Sequence, residues 1–366
     1  MAIYIERVER LKKIGRNAGI SAFLINSEKN MRYFAGFSVL SMERFAGIII
    51  PVETNTPMVI VSKLEAEKAK ECSSFKQIRS YDDSENPALL LNQIIKELRL
   101  EKAVFGVEWT LPFKFYRMLT QCSPRIKVED SSNLFSQLRS IKSAEELEKM
   151  KKAASIVAEG IKAGIDSIKP GVSELSVSFE IEKAIKQNGG ESVPFCLVLS
   201  GSNSALPHGE TSNRKVCKND VVLMDVGAVY RGYYADLTRT VFVGDATKIQ
   251  RKIYETVLRA QEAAIKTVKP GIEAEKVDRA ARKIIEDAGY GRYFTHRTGH
   301  GLGLEVHEEP YIAPGNKTVL KPGMSFTIEP GIYLIGRFGV RIEDDIVVST
   351  AQGKLLSNLS KEMLVI

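Results

Sequence analysis

Residues 168–174 read IKPGVSE and residues 268–274 read VKPGIEA, so one helix-breaking signature recurs at an offset of 100 residues. Proline followed by glycine stops a helix and turns the chain. In both copies a long apolar-periodic segment runs in and a second one runs out. The second segment ends in glycine each time, at Gly189 in KQNGG and at Gly289 in EDAGY. Glycine just past the last turn is a common helix stop. Two such units at one offset, each followed by β-type runs, predict a pseudo-symmetric domain with one unit in each half.

The first third has a different texture. ERVERLKKIGRNAG reads as an amphipathic helix ending at Gly19, and AFLIN as a short strand. FAGIIIPV and PMVIVSK read as strands parted by the turn-rich ETNT. ALLLNQIIKELRL is helical by its apolar spacing, and AVFGVE is another strand. Helices alternating with short apolar strands predict an α/β domain with a mixed sheet. After the polar break EDSSN, Ser143 and Glu146 stand at capping-box spacing before a long helix. We expect an N-terminal domain over 1–134 and a second domain over 135–366, consistent with a 366-residue chain.

Charge and cysteine usage narrow the function classes. The net charge of +7 is spread as +4 over residues 1–134 and +3 over the rest, with no basic stripe, which argues against nucleic acid as a partner. No apolar run reaches the roughly 18 residues of a membrane span. The start, MAIYIERVERLKK, meets charge at Glu6 and Arg7 and does not read as a secretory signal. The four cysteines lie far apart without a C-x-x-C spacing, as expected of reduced thiols in a cytoplasmic protein.

Acids stand where apolar strands should exclude them. In VVLMDVGAVYRGYYADLTRTVFV, residues 221–243, two β-type runs flank a turn and each carries one acid, Asp225 and Asp236. A four-residue loop over Val229 to Gly232 would set these two directly opposite each other on one sheet face. In MSFTIEPGIYLIGRFGVRIEDDIVV, residues 324–348, a turn centred on Gly336 sets Glu329 opposite Glu343. Pro330 is the residue able to shift that register through a bulge. Opposed like charges in an apolar setting need a remedy. A shared proton, a bridging arginine such as Arg239, or metal ions would each serve.

Between the hairpins lies HRTGHGLGLEVHEEP, residues 296–310, with three of the four histidines, His296, His300 and His307. Gly299 and Gly301 flank His300, which favours it as the nitrogen donor because glycine lets partner groups approach closely. Four carboxylates are balanced by two divalent cations, and one neutral imidazole completes the set. Oxygen-rich ligation with one nitrogen suits Mn, Co, Fe or Zn. The expected ligands are Asp225, Asp236, His300, Glu329 and Glu343. Arg341 shares a strand face with Glu343 and reads equally as a buried ion pair with an acid such as Asp236.

These residues together resemble the creatinase/prolidase/methionine aminopeptidase family of "pita-bread" metallopeptidases over nearly the whole chain. Asp225 in MDVGA, Asp236 in ADLTRT, His300 in GHGLG, Glu329 in IEPGIY and Glu343 in VRIEDD match the family's five metal ligands in order. NMRYFAGF looks like part of a creatinase-type N-terminal domain. The resemblance implies an α/β N-terminal domain beside an α+β pita-bread catalytic domain with pseudo-twofold symmetry. It also implies two divalent ions, commonly Mn or Co, a homodimer, and cleavage of the bond preceding proline.

His208 in LPHGE and His307 in EVHEEP match the family's active-site histidines outside the ligand set, and Arg341 matches a family arginine near the site. The resemblance assigns His208 and His307 to oxyanion stabilisation and Glu329 to proton transfer as well as ligation. Phe195, Tyr230 and Tyr311 are the aromatics expected to wall the proline ring. Many prolidase-like members carry an arginine just after the proline of H-x-x-P, where it binds the substrate carboxylate. Here that place is Tyr311, with Arg297 and Arg337 as alternatives. The expected activity is Xaa-Pro dipeptidase. The rival readings are an aminopeptidase P acting on longer peptides and a metal-free binding protein on the same fold.

Overall fold

Six short strands carry the N-terminal unit, Met1–Arg139. The computed structural model describes residues 2–54 and 56–366; position 55, inside the ETNT turn, lies outside the described residues. In chain order the elements are α1 (Ala2–Asn17), β1 (Ala22–Ile25), α2 (Glu28–Ala35), β2 (Gly47–Pro51), β3 (Met58–Ser62) and α3 (Lys63–Cys72). They continue with β4 (Gln77–Tyr81), α4 (Pro87–Glu97), β5 (Val104–Val107), α5 (Phe113–Cys122), β6 (Lys127–Asp130) and α6 (Ser132–Ser140). The sheet order is β4-β3-β2-β1-β5-β6. It is mixed: β1 pairs β2 antiparallel and β5 parallel. The inner strands β1, β2 and β3 are buried at every position, as strands covered on both faces must be. The edge strands β4 and β6, QIRSY and KVED, are exposed or half-buried at every position but Tyr81. Their polar texture hides them from apolar-run reading.

The second unit, Ser140–Ile366, opens on two helix pairs. These are α7 (Ala144–Ser167) with α8 (Glu174–Gln187), and α9 (Lys248–Thr267) with α10 (Ala274–Asp287). Between the pairs run β7 (Ser192–Ser200), β8 (Val221–Tyr230) and β9 (Tyr233–Phe242). The capping box forms as its spacing predicts, with Ser143 and Glu146 each bonding the other's backbone N–H. The 100-residue offset holds at the level of packing. Val177 and Val277, and Ile185 and Ile285, are fully buried equivalents. The glycines that turn each pair are equivalent too, with φ of 91° at Gly171 and 86° at Gly271. Where α7 crosses α8, Gly160 and Gly164 lie against Ile185 and Ile181, and Ala260 and Ala264 are their buried equivalents on α9. Small residues let helix axes approach, so the repeat conserves the crossing and not only the turn.

After the second pair come β10 (Gly299–Gly301), β11 (Glu308–Ile312), β12 (Ser325–Ile328) and β13 (Gly331–Leu334). The chain ends with β14 (Phe338–Arg341), β15 (Asp344–Val348), β16 (Gly353–Leu355) and β17 (Leu364–Val365). Two sheets result, β17-β9-β8-β7 and β11-β10-β12-β15-β16, with β13-β14 as a separate ribbon. Among the described residues, no helix is long and apolar enough to cross a membrane.

Both hairpins depart from the simplest reading. In the first, Tyr230 pairs with Tyr233 across a two-residue turn, Arg231-Gly232. Both turn residues have positive φ, 49° and 79°, the conformation whose twist matches flanking strands. Asp225 therefore opposes Thr238 and Asp236 opposes Gly227. The two acids are diagonal neighbours on one face and do not oppose each other directly. In the second hairpin Pro330 causes no slip: Gly331 pairs with Arg341 and Ser325 with Val347, one register throughout. The ladder is instead cut, so Glu329 and Glu343 lie between paired segments and not within them. Glu329 donates its backbone N–H to the Thr298 carbonyl and Glu343 its own to the Thr238 carbonyl.

The glycines around His300 are demanded by space. A Cβ at Gly299 would lie 1.9 Å from the Thr327 carbonyl oxygen, and one at Gly301 2.5 Å from the Glu309 backbone. Gly299→Ala is expected to push β10 off β12 and cost about 1–3 kcal/mol, as overpacking does. Urea denaturation checks this; an unchanged midpoint would show that β12 yields without loss.

Candidate metal centre

All four histidines of the chain line one cavity of about 530 Å³ in the second unit. The same wall holds Asp225, Asp236, Glu329, Glu343 and Arg341, so every site residue expected from the sequence reaches it. Asp225 comes from the middle of β8 and Asp236 from β9. His300 comes from β10, and Glu329 and Glu343 from the two ladder breaks. Single oxygen or nitrogen atoms of Asp236, His300 and Glu343, all buried, lie within 4.8 Å of one another. His300 Nε2 is 3.4 Å from Glu329 Oε1 and 3.7 Å from Asp236 Oδ2.

Electrostatics make this cluster unstable on its own terms. Burial, then the Glu343 and Asp225 charges, holds the Asp236 carboxyl well above the usual carboxylate range. Burial, then Glu329 and Asp225, does the same to Glu343. Glu329 is pushed up to about 7, mainly by burial, with Arg341 opposing. His300 goes the other way, to about 3, because burial disfavours the imidazolium and His307 adds to the effect. Its Nδ1 lies 3.1 Å from the Gly301 carbonyl oxygen, which can only accept, so Nδ1 donates and Nε2 keeps its lone pair for the cavity. Asp225 Oδ1 and Asp236 Oδ1 are buried without a hydrogen-bond partner among the described residues. Acceptor-only oxygens facing a neutral imidazole fit divalent cations and leave no protein donor to replace them.

One oxygen each of Glu343 and Glu329 is tied down by a group that sequence reading passed over. Thr238 donates its hydroxyl to Glu343 Oε2 at 2.6 Å. Thr327 donates to Glu329 Oε1 at 3.1 Å and accepts the His300 backbone N–H at 3.1 Å. Each threonine lies two residues from an acid, Thr238 after Asp236 and Thr327 before Glu329. A hydroxyl at that period-two spacing was the available signal. Asp278 on α10 fixes the approach to β10 by accepting from the Thr298 hydroxyl at 2.8 Å while paired to Arg282.

The arginines pair otherwise than expected. Arg239 does not bridge Asp225 and Asp236. It binds Asp344 at 2.7 Å and the Glu343 carbonyl, because alternation along β9 turns it to the other sheet face. Arg341 pairs with Asp225 and not Asp236, and it also donates to the Tyr333 hydroxyl at 2.8 Å. Tyr333 in turn meets His296 Nε2 at 2.8 Å, so His296 holds a structural partner at the cavity wall. His307 is exposed at the mouth, its ring centroid 4.1 Å from that of His300. Of the three aromatics expected to wall the site, only Phe195 lines the cavity, beside Leu197, Pro207 and Val306.

Comparison with known proteins accords with this geometry. Residues 148–350 match the family model described as metallopeptidase family M24, and residues 7–141 match the creatinase/prolidase N-terminal domain. The chain is 38% identical over 360 residues to a Xaa-Pro dipeptidase of Pyrococcus furiosus, covering 98% of this chain and 99% of that one. A solved prolidase from Thermococcus sibiricus superposes with a TM-score of 0.93 at 40% identity, covering 99% of both chains. An X-Pro aminopeptidase from Thermotoga maritima gives 0.88 at 32% identity, covering 98% of this chain and 99% of that one. Two family models that between them span both units, and full-length relatives above a third identical, make this chain a metallopeptidase of family M24 with a creatinase/prolidase N-terminal domain.

Proposed function

We propose that the chain hydrolyses the peptide bond preceding proline in Xaa-Pro dipeptides, with two divalent cations held by Asp225, Asp236, His300, Glu329 and Glu343. The observation that carries this reading is the convergence of five donors, from three strands and two ladder breaks, on one cavity, with two carboxylate oxygens left unpartnered among the described residues. Similarity to the Pyrococcus and Thermococcus enzymes supplies the substrate class. When bound, the cations supply Lewis-acid polarisation of the scissile carbonyl and acidify a water. Mn or Co is the proposed metal, on the oxygen-rich donor set.

The protein groups do the rest. Glu329, at the cavity wall, takes the proton from the attacking water and passes it to the proline nitrogen. His208 and His307 donate to the oxyanion that forms on the carbonyl, a preorganised role. Arg341 fixes Asp225 and Thr238 fixes Glu343, so neither carboxylate must reorient on binding. Phe195, Leu197 and Val306 give the proline ring an apolar wall and keep water from it. In this reading the enzyme is a cytoplasmic homodimer. Its four free cysteines accord with a reducing compartment, and sedimentation equilibrium tests the dimer.

An aminopeptidase P activity is the second reading, favoured by Tyr311 and by likeness to the Thermotoga enzyme. Rates on Leu-Pro and Leu-Pro-Gly separate the two; faster loss of leucine from the tripeptide would overturn the dipeptidase assignment.

Exhaustive chelation is expected to abolish Leu-Pro hydrolysis, with recovery on two equivalents of Mn or Co per chain by metal analysis. Full activity in the metal-free protein would sink the proposal. Thr238→Val, which removes the donor to Glu343, is expected to weaken metal affinity about 10–100-fold, the usual worth of a group that orients a ligand. Calorimetric metal titration reads this without turnover, and an unchanged affinity would show that Glu343 needs no such support.

A further inference from the structure

Arg239 is buried on the face of β9 turned away from the cavity, and every N–H of its guanidinium has an acceptor. Nη1 donates to the Thr238 carbonyl at 2.8 Å and to the Glu343 carbonyl at 2.6 Å. Nη2 donates to Asp344 Oδ1 at 2.7 Å and to the Leu359 carbonyl at 2.8 Å, and Nε donates to the Ser360 carbonyl at 2.8 Å. These acceptors fall into two sets. Thr238 and Glu343 form the seam at the metal centre, where the Thr238 hydroxyl already holds Glu343 Oε2. Leu359 and Ser360 belong to a strap, residues 356–366, that runs back over β9.

The strap is held mainly by polar groups. Of its residues only Leu356 and Ser357 are buried. Its backbone carbonyls are taken by Arg239 and by the buried Tyr254, whose hydroxyl donates to the Lys361 carbonyl at 3.0 Å. Asp344 ties the same two sets together from the other side of the guanidinium. It directly follows Glu343, is 1% exposed, and accepts from the Ser357 hydroxyl at 2.7 Å and the Gln261 amide at 2.8 Å. Lys361, on the strap, donates to Gln261 Oε1 at 3.1 Å. Glu343 itself lies in a ladder break, so its backbone takes its position from the seam and from Arg239. One rigid, planar cation therefore holds both the strap and the backbone of a ligand.

We propose that Arg239 is a positioning residue for Glu343 and couples metal binding in the cavity to docking of the strap 356–366. The proposal rests on the reading above that Glu343 holds a cation. Coupling of this kind is reciprocal: if the docked strap raises metal affinity by some factor, bound metal favours docking by the same factor. Lysine at position 239 would keep a charge for Asp344, but one ammonium cannot serve five acceptors spread around a plane.

Calorimetric Mn(II) titration of the metal-free protein compares the wild type, Arg239→Lys and the strap variant Ser357→Ala/Lys361→Met, which leaves Arg239 and every cavity residue in place. Arg239→Lys is expected to weaken Mn(II) binding about 10–100-fold. The strap variant is expected to weaken it about fivefold or more. In the wild type, saturating Mn(II) is expected to slow amide exchange at Leu356 and Ile366, which donate to the Asp345 and Phe242 carbonyls, by a similar factor, while amides of residues 77–81 in the N-terminal unit keep their rates. Should Arg239→Lys fail to fold, the strap variant and the wild-type exchange decide. Wild-type affinity in a folded Arg239→Lys, even with a lowered thermal midpoint, overturns the positioning role. Wild-type affinity in the strap variant, or exchange at Leu356 and Ile366 that ignores Mn(II) or slows no more than at 77–81, overturns the coupling. All these results leave the metal reading intact, whereas a wild type that takes up neither Mn(II) nor Co(II) overturns both.

Discussion

Four buried carboxylates repel one another across a single cavity, and the catalytic half of the molecule is arranged around that repulsion. Unit charges a few ångströms apart at low dielectric cost several kcal/mol, far more than a surface pair. One of the four, Asp225, is offset by a guanidinium. Among the described residues Asp236 and Glu343 have no such partner, and burial drives both toward the neutral form. Either protons or cations must therefore enter with them. A neutral His300, its lone pair directed inward, accords with a cation there. Family membership and electrostatics reach the same conclusion from separate starting points.

Such repulsion needs a scaffold that does not relax. The pseudo-twofold repeat supplies one. Each half presents a hairpin against a pair of helices whose crossing is set by small residues at matched positions, Gly160 and Gly164 on one side and Ala260 and Ala264 on the other. The halves are tied at the site itself. Thr238 and Glu343 form a bridge between β9 and the second hairpin, and the Thr240 hydroxyl donates to the Arg341 carbonyl at 2.8 Å. Hydrogen bonds across the seam hold the donors in place before any ion arrives, so reorganisation on binding is small.

The repeat, the capping box and the acid-bearing hairpins were legible because each rests on a local rule with few competitors. The turn at Arg231-Gly232 was not. Setting Asp225 directly opposite Asp236 called for a loop over Val229 to Gly232, so Val229 and Tyr230 were assigned to the loop instead of the ladder. In the N-terminal unit, α2, α3, α5, β4 and β6 escaped notice. Their sequences are charged or short, and their places come from sheet pairing and not from periodicity. The residues that line the cavity were readable as acids and histidines out of place in apolar runs. Thr238 and Thr327 were not, because threonine is an ordinary strand residue and only its partner reveals its task.

Pro330 shows how a local defect serves the site. It has no N–H to give a ladder, so β12 cannot run on into β13. The break keeps the register on both sides, and what it releases is the pairing of Glu329 and Glu343 with each other. Their backbone N–H groups bind the Thr298 and Thr238 carbonyls instead, from β10's approach and from β9. Had the ladder continued, the two glutamates would have been neighbours in one flat ribbon, with their side chains fixed by the pleat. Parting the sheet at that point attaches each to a different strand. A polar group at the end of a strand can be aimed, whereas one in mid-ladder takes the direction the pleat allows. The acids of the first hairpin, on continuous strands, sit at a diagonal; those of the second reach the same cavity because proline interrupts their sheet.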